Sequence, residues 1–447
     1  MALVLAVVEA GIYHLPITRT TSGLYFTEPD IPRAERHNGQ IALASPPLED
    51  FQKAIRNHDT FFASIAQKHC LRNSAQQELD DGDDDGEWDA MFFSLYTTTI
   101  SVGNPPLRLS ATVDTSWSTL FIPSVNCTYM PGNHRSCTAH PLYNSSLSST
   151  YRPDLTPASV LYTGPAGIYT WGNVSQDNLH VAGMEIKGQM FEEATVWNPD
   201  VGTRNDLFDT ALGISLFPTR SGNGRDDFAA PSPFQNMMQQ KLLDKNIISL
   251  KLGRTDQEMG EIILGGLPRN VQREDMIEVP LDHNKTDDSD HIWRYYTMNG
   301  WQVSVKSMSM GMNSSEASTS VLDKPQTAVI SSSFPWIGVP DEVAKKIHET
   351  LGIKQVFDWV NCEKRPRLPN WTITFGPNGH TITLSPWDYL IEVYDKVYGQ
   401  LKCVSGFFNL SQYGDKGFII LGAPFLNGIY STFDADRKSI SFGNRPL

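Results

Sequence analysis

The residues best equipped for chemistry are one aspartate and a set of hydroxyls. They occur in two short segments, Asp114-Thr115-Ser116 and Ser331-Ser332-Ser333. Each follows an apolar run, Ala111-Thr112-Val113 in the first and Ala328-Val329-Ile330 in the second. A carboxyl group can take or give a proton in the acid range, whereas a serine hydroxyl cannot ionise there. Other chemistries lack their residues. There is no GxSxG elbow to make a nucleophile of Ser331, Ser332 or Ser333. His348-Glu349 has no second histidine at helical spacing, so an HExxH zinc site is absent. No glycine pattern for a nucleotide appears, and none of the cysteines forms a CxxC or His-spaced pair. No metal and no cofactor is expected.

The elements around these segments read as β. From Phe92 onward, short β-branched and aromatic runs alternate with Gly, Pro, Asn and Asp every eight to twelve residues, the pattern of an all-β architecture. Tyr96 to Val102 and Leu107 to Val113 form an expected hairpin across Gly103-Asn104-Pro105-Pro106. Helices are expected at Pro233 to Leu243, Asp341 to Leu351 and Pro386 to Leu390. The two halves echo each other. Each polar triplet is followed later by two apolar residues and a glycine, Ala211-Leu212-Gly213 and Ile420-Leu421-Gly422, and each half holds its own cysteine pair, Cys127 with Cys137 and Cys362 with Cys403. Two similar lobes, each stapled once, follow, with Cys70 left over.

Before the β region the texture differs. Ala2 to Val8 is apolar and Val8-Glu9-Ala10 ends in a small residue, so residues 1–10 read as a weak signal peptide or as a truncated start. Residues 11–89 form an extension in which Leu48 to Ile65 has helical spacing and the acidic stretch 80–89 reads as an exposed linker. The expected lobes are 90–280 and 281–447.

Composition bounds the rest. Of 447 residues, 40% are hydrophobic, and Gly 33 with Pro 28 is ordinary usage, so a collagen-like or wholly disordered chain is excluded. Lys+Arg 36 against Asp+Glu 50 gives −14, which disfavours nucleic acid as a partner. No run of about 18 apolar residues would span a membrane. Seven Asn-x-Ser/Thr sequons, at Asn126, Asn144, Asn173, Asn284, Asn313, Asn370 and Asn409, point to glycosylation and the secretory pathway, secreted or vacuolar.

Several motifs taken together resemble the pepsin-like aspartic proteases, in texture the secreted fungal branch. Leu95-Tyr96-Thr97-Thr98-Thr99-Ile100-Ser101-Val102-Gly103 resembles that family's first hairpin, and Val113-Asp114-Thr115-Ser116-Trp117-Ser118-Thr119-Leu120-Phe121-Ile122-Pro123-Ser124 its first catalytic segment. Phe208-Asp209-Thr210-Ala211-Leu212-Gly213, Gly260 to Gly266 and Gly417 to Leu426 are similar to three further elements. The resemblance implies a mostly β, bilobal fold with a cleft between two barrel-like lobes, and makes the extension propeptide-like. It also implies a mechanism in which two carboxylates share a proton and grip one water.

On that resemblance Asp114 is the first catalytic aspartate and Thr115 the bracing hydroxyl, but Ser116 stands where the family has glycine and Trp117 where it has a small serine. In the second lobe Ser331 stands in place of the second aspartate, ahead of Ser332 and Ser333. Asp323 is no substitute, because Lys324-Pro325 follows it. Tyr162 lies near the place of the family's flap tyrosine, a role that competes with that of an exposed hairpin-tip aromatic. Phe121 and Trp301 are expected in the core. The leading expectation is a homologue with absent or impaired catalysis that still binds an extended peptide in its cleft by strand addition, as a monomer. A working acid endopeptidase and a secreted interaction or inhibitor module are the alternatives.

Overall fold

The computed structural model describes residues 10–25, 90–128, 137–162, 168–199, 208–219, 228–269, 271–282, 299–312, 318–353, 359–395, 400–410 and 418–444. The expected helix at Leu48 to Ile65, the acidic linker 80–89, Cys70, Asn284 and Asn313 lie outside them.

The chain folds into mostly β structure, in two lobes over a shared base. The first lobe holds the expected hairpin, with strands Ala90–Val102 and Leu107–Asp114 antiparallel and Val102 opposite Leu107. The strands Leu120–Thr128, Arg152–Tyr162, Ile168–Val181, Met184–Pro199 and Thr210–Gly213 complete that lobe's sheet. The second lobe is an eight-stranded sheet, with Gln326–Ile330 and Phe418–Leu421 at its centre, beside a small three-stranded sheet.

Between them runs a base of six strands drawn from distant parts of the chain, in the order Met276–Pro280, Ser439–Asn444, Ile429–Asp434, Ile247–Lys251, Gly260–Leu264 and Tyr13–Tyr25. Among the described residues, three of the four α-helices fall where the spacing places them, Pro233–Gln239, Asp341–Leu351 and Pro386–Tyr389, the first ending four residues early. The fourth, Ala423–Leu426, is a single turn that heads off the second lobe's central strand, with Ala423 at its first position.

The strand Tyr13–Tyr25 is not anticipated by the sequence reading. It hands over from one partner to another. Tyr13–Ile17 pairs with Gly260–Leu264 of the base, and Thr18–Tyr25 pairs with the start of the first lobe's hairpin. Leu15, Ile17 and Arg19 point inward and Pro16, Thr18 and Thr20 outward, the two-residue period of a strand. Proline is tolerated at position 16 because, among the described residues, this half of the strand pairs its backbone only with Gly260–Leu264, while Thr98 Oγ1 donates to the Pro16 carbonyl at 2.8 Å. Arg19 is the unusual inward residue. Its Nε donates to Ser94 Oγ at 3.0 Å and its Nη1 to Asp256 Oδ1 at 2.9 Å, so the buried guanidinium is paired.

Candidate active site

Each polar triplet ends a buried central strand, and a glycine lets a second strand lie against it. Leu107–Asp114 runs parallel to Thr210–Gly213, with Asp114 beside Gly213; Gln326–Ile330 runs parallel to Phe418–Leu421, with Ile330 beside Leu421. A Cβ on Gly213 would lie 2.4 Å from the Trp117 carbonyl oxygen, and one on Gly422 2.0 Å from that of Trp336, so only glycine permits this approach. The echo between the halves is thus one local structure built twice.

The two turns that follow the strands meet face to face. Thr115 Oγ1 donates to Ile330 O at 3.0 Å and accepts from the Ser332 N–H at 3.0 Å. Ser332 Oγ donates to Val113 O at 2.8 Å and accepts from the Thr115 N–H at 3.0 Å. These four bonds, all buried, fix the distance between Asp114 and Ser331.

Inside that frame a single chain of hydrogen bonds joins the two positions. The Ser116 N–H and Oγ donate to Asp114 Oδ1 at 2.8 and 2.6 Å, and Ser116 Oγ shares a hydrogen bond with Ser331 Oγ at 2.8 Å. Ser331 Oγ in turn accepts from the Phe334 N–H at 3.2 Å and lies 3.3 Å from Ser333 Oγ. Asp114 Oδ2 accepts from the Tyr162 hydroxyl at 3.0 Å. Asp114, Ser116 and Ser331 are fully buried. Burial raises the Asp114 carboxyl above the usual carboxylate range, and the hydrogen bonds from Ser116, Ser333 and Tyr162 oppose that shift. Among the described residues, no second carboxylate bonds to Asp114; Asp323 is exposed and lies 3.7 Å from Lys346 Nζ.

Aromatic rings close over this chain. Tyr162 is fully buried, not an exposed hairpin tip, and packs edge-on against Trp117 at 5.0 Å and Phe208 at 5.8 Å, with Phe121 at 5.4 Å. Trp117, Phe121, Trp197 and Phe208 from the first lobe share one apolar cluster with Val329, Phe334, Trp336 and Phe408 from the second. Trp301, by contrast, packs on Phe433 in the main core and donates from Nε1 to Ile214 O at 3.0 Å.

Three features of the site are missed by the sequence reading. Phe334 and Trp336 follow the second triplet, and their spacing gave no sign that they join Trp117 and Tyr162 across the lobes. Glu192 is the third. It is fully buried, with Oε2 taking a 2.5 Å bond from Thr170 Oγ1 and Oε1 without a hydrogen-bond partner among the described residues. Burial pushes its carboxyl well above the usual range, opposed only by Thr170. It lies opposite Phe121 across paired strands.

The cysteines pair as the two halves suggest, Cys127 with Cys137 and Cys362 with Cys403. Of the sequons, Asn126 is exposed, while Asn144, Asn173, Asn370 and Asn409 are partly buried.

A two-lobed β fold with one triplet per lobe, locked by reciprocal hydroxyl–amide bonds, defines the architecture of the aspartic proteases. The chain belongs to that family: the description "Eukaryotic aspartyl protease" matches residues 95–445. It is 28% identical over 415 residues to vacuolar protease A of Aspergillus fumigatus, covering 90% of this chain and 93% of the relative. Cathepsin D of Gallus gallus is 30% identical over 354 residues, covering 78% and 80%, and cathepsin D of Dictyostelium discoideum is 30% identical over 353 residues, covering 78% and 82%. No helix among the described residues is long and apolar enough to cross a membrane.

Proposed function

We propose that this chain is an aspartic protease homologue whose peptide hydrolysis is absent or severely impaired, and whose cleft retains the capacity to hold an extended peptide. One observation carries the reading: the Ser116 hydroxyl bonds both to Asp114 at 2.6 Å and to Ser331 at 2.8 Å. In the two-carboxylate mechanism a water sits between the paired groups, one of which supplies a carboxylic-acid proton. Here a side-chain oxygen holds the place of that water, and Ser331 has no acidic proton to give. Loss of one member of a catalytic unit costs several orders of magnitude in rate where the members act together.

The proposed setting is the secretory pathway, vacuolar or secreted. The two disulfides support it, because such bonds persist in oxidising compartments, and so do the names of the relatives, vacuolar protease A and cathepsin D. Glycosylation at the sequons, the exposed Asn126 foremost, and a monomeric state belong to the same proposal.

The same names favour the second reading, an active acid endopeptidase. A protease assay from pH 2 to 6 separates the two, run on the wild type, Ser331→Asp and Ser116→Gly/Ser331→Asp. A silent wild type is the expected result. Cleavage gained only by the double variant would place the defect in the two substitutions together. Pepstatin-sensitive cleavage by the wild type, lost in Asp114→Asn, would overturn the proposal.

A further inference from the structure

We propose that Asn126 and Asn144 carry a pair of N-linked glycans on one face of the first lobe, and that these sugars cover Val125 and Leu147. The inference rests on the glycosylation reading above and adds which acceptors are used and what the sugars do there.

Four observations lead to it. The two sequons, Asn126-Cys127-Thr128 and Asn144-Ser145-Ser146, meet at one bridge. Ser124 pairs in parallel with Tyr143; the Val125 N–H donates to Tyr143 O at 2.9 Å and the Tyr143 N–H to Pro123 O at 2.8 Å. Val125 and Asn144 are each the next residue after that pair, and Asn126 is one step further along. Second, the fold leaves both acceptor nitrogens unused. Asn126 is exposed, and among the described residues it bonds through its backbone N–H, to Ser124 Oγ at 3.2 Å. Asn144 caps the short turn Ser145–Leu147 through Oδ1, which accepts from the Ser146 N–H at 3.2 Å and from the Ser146 hydroxyl at 2.7 Å. That cap uses the amide oxygen alone, so a sugar on Nδ2 leaves it intact. Third, two sequons of the second lobe differ at that atom. Asn409 Nδ2 donates to Asp341 Oδ1 at the start of the helix Asp341–Leu351, and Asn370 Nδ2 lies 3.5 Å from the Met312 carbonyl oxygen. Finally, Val125 is 45% exposed and Leu147 67%, so two aliphatic side chains stand in water beside the two free acceptors. A glycan is bulky and solubilising, which suits it to such a face.

Attachment is a substitution at the anomeric carbon of an oligosaccharide carried on a polyprenyl pyrophosphate. The bond from Nδ2 to that carbon forms, the carbon–oxygen bond to the pyrophosphate breaks, and Nδ2 gives up one proton to the transferring enzyme. Two readouts on the full chain, secreted from a eukaryotic host, test the proposal. The first is site occupancy: a peptide N-glycosidase in heavy-oxygen water converts each glycosylated asparagine to a labelled aspartate, and peptide mass spectrometry reads the conversion. The expected result is conversion at Asn126 and at Asn144, and none at Asn409. A chain converted elsewhere but bare at Asn126 or Asn144 would overturn the proposal. Conversion at no sequon would reject the glycosylation reading itself. The second readout is sedimentation velocity of the folded wild type before and after the same enzyme strips it. The expected result is a monomer with its sugars and concentration-dependent association without them, an association that Val125→Ser/Leu147→Ser abolishes. A stripped wild type that stays monomeric at every concentration would overturn the covering role.

Discussion

Thr115 and Ser332 exchange hydrogen bonds across the lobes, each backbone N–H donating to the other's hydroxyl oxygen at 3.0 Å. Each hydroxyl then donates onward to a carbonyl of the opposite strand. The arrangement is complete although Ser331, beside it, carries a hydroxyl and no carboxylate. It therefore serves the fold in its own right.

That relationship sets the first prediction. Thr115→Val deletes a donor to Ile330 O and an acceptor for the Ser332 N–H, leaving two buried backbone groups unpaired. The expected loss is about 2–4 kcal/mol in urea unfolding. A loss below about 0.5 kcal/mol would show that the lobes are held together elsewhere.

The buried acids predict stability that falls as pH rises. Glu192 and Asp114 both have folded-state values above their ordinary 4.5 and 3.8. A group raised on folding contributes fully below its unfolded value, and that contribution is lost as pH climbs through the folded one. Glu278 works oppositely: its bond to Arg437 lowers it, so its share is lost below about pH 4.5. Melting temperature should therefore peak in mildly acid solution and decline toward neutrality. Glu192→Gln should flatten the decline above pH 5, and a decline of unchanged slope in that variant would exclude Glu192 as its source.

The Arg19–Asp256 pair predicts an asymmetry between its two partners. Arg19 is buried, whereas Asp256 is 42% exposed. Asp256→Ala strands a guanidinium without its counter-charge, but Arg19→Met leaves a carboxylate that water can solvate. Asp256→Ala should cost more than Arg19→Met, by about 1–2 kcal/mol, in chemical unfolding. The opposite order would mean that Arg19 acts through its aliphatic packing.

Removing the second disulfide tests the value of a long closed loop. Cys362 and Cys403 are 41 residues apart, so Cys362→Ser/Cys403→Ser should cost about 3–4 kcal/mol under non-reducing conditions. Cys127 and Cys137, 10 apart, should cost less, about 2–3 kcal/mol. Equal losses would argue against loop entropy as the cause.

The architecture was legible where sequence marks backbone. The apolar runs before Asp114 and Ser331, and the glycines 213 and 422, are local demands of two tightly apposed strands, and they read directly. The strand Tyr13–Tyr25 was hidden by Pro16 and by an inward Arg19, which break the apolar alternation that identifies a strand. Glu192 was hidden for a similar reason, since two adjacent glutamates carry no local sign that both are buried in a strand flanked by Leu120–Thr128 and Ile168–Val181. The Tyr162–Asp114 bond spans 48 residues and depends on how far a hairpin folds inward, which no local pattern encodes.

Chain order gives the base sheet a schedule. His14 meets Glu261 at a separation of 247 residues, and the sheet's last strands end near residue 444. At the usual pace of translation, about 5–20 residues per second, the half Tyr13–Ile17 waits roughly 10–50 s for its partner Gly260–Leu264 to be made, long after Thr18–Tyr25 has its own. During that interval Leu15 and Ile17 have no sheet to enter, which makes this early segment a natural client of chaperones on the nascent chain.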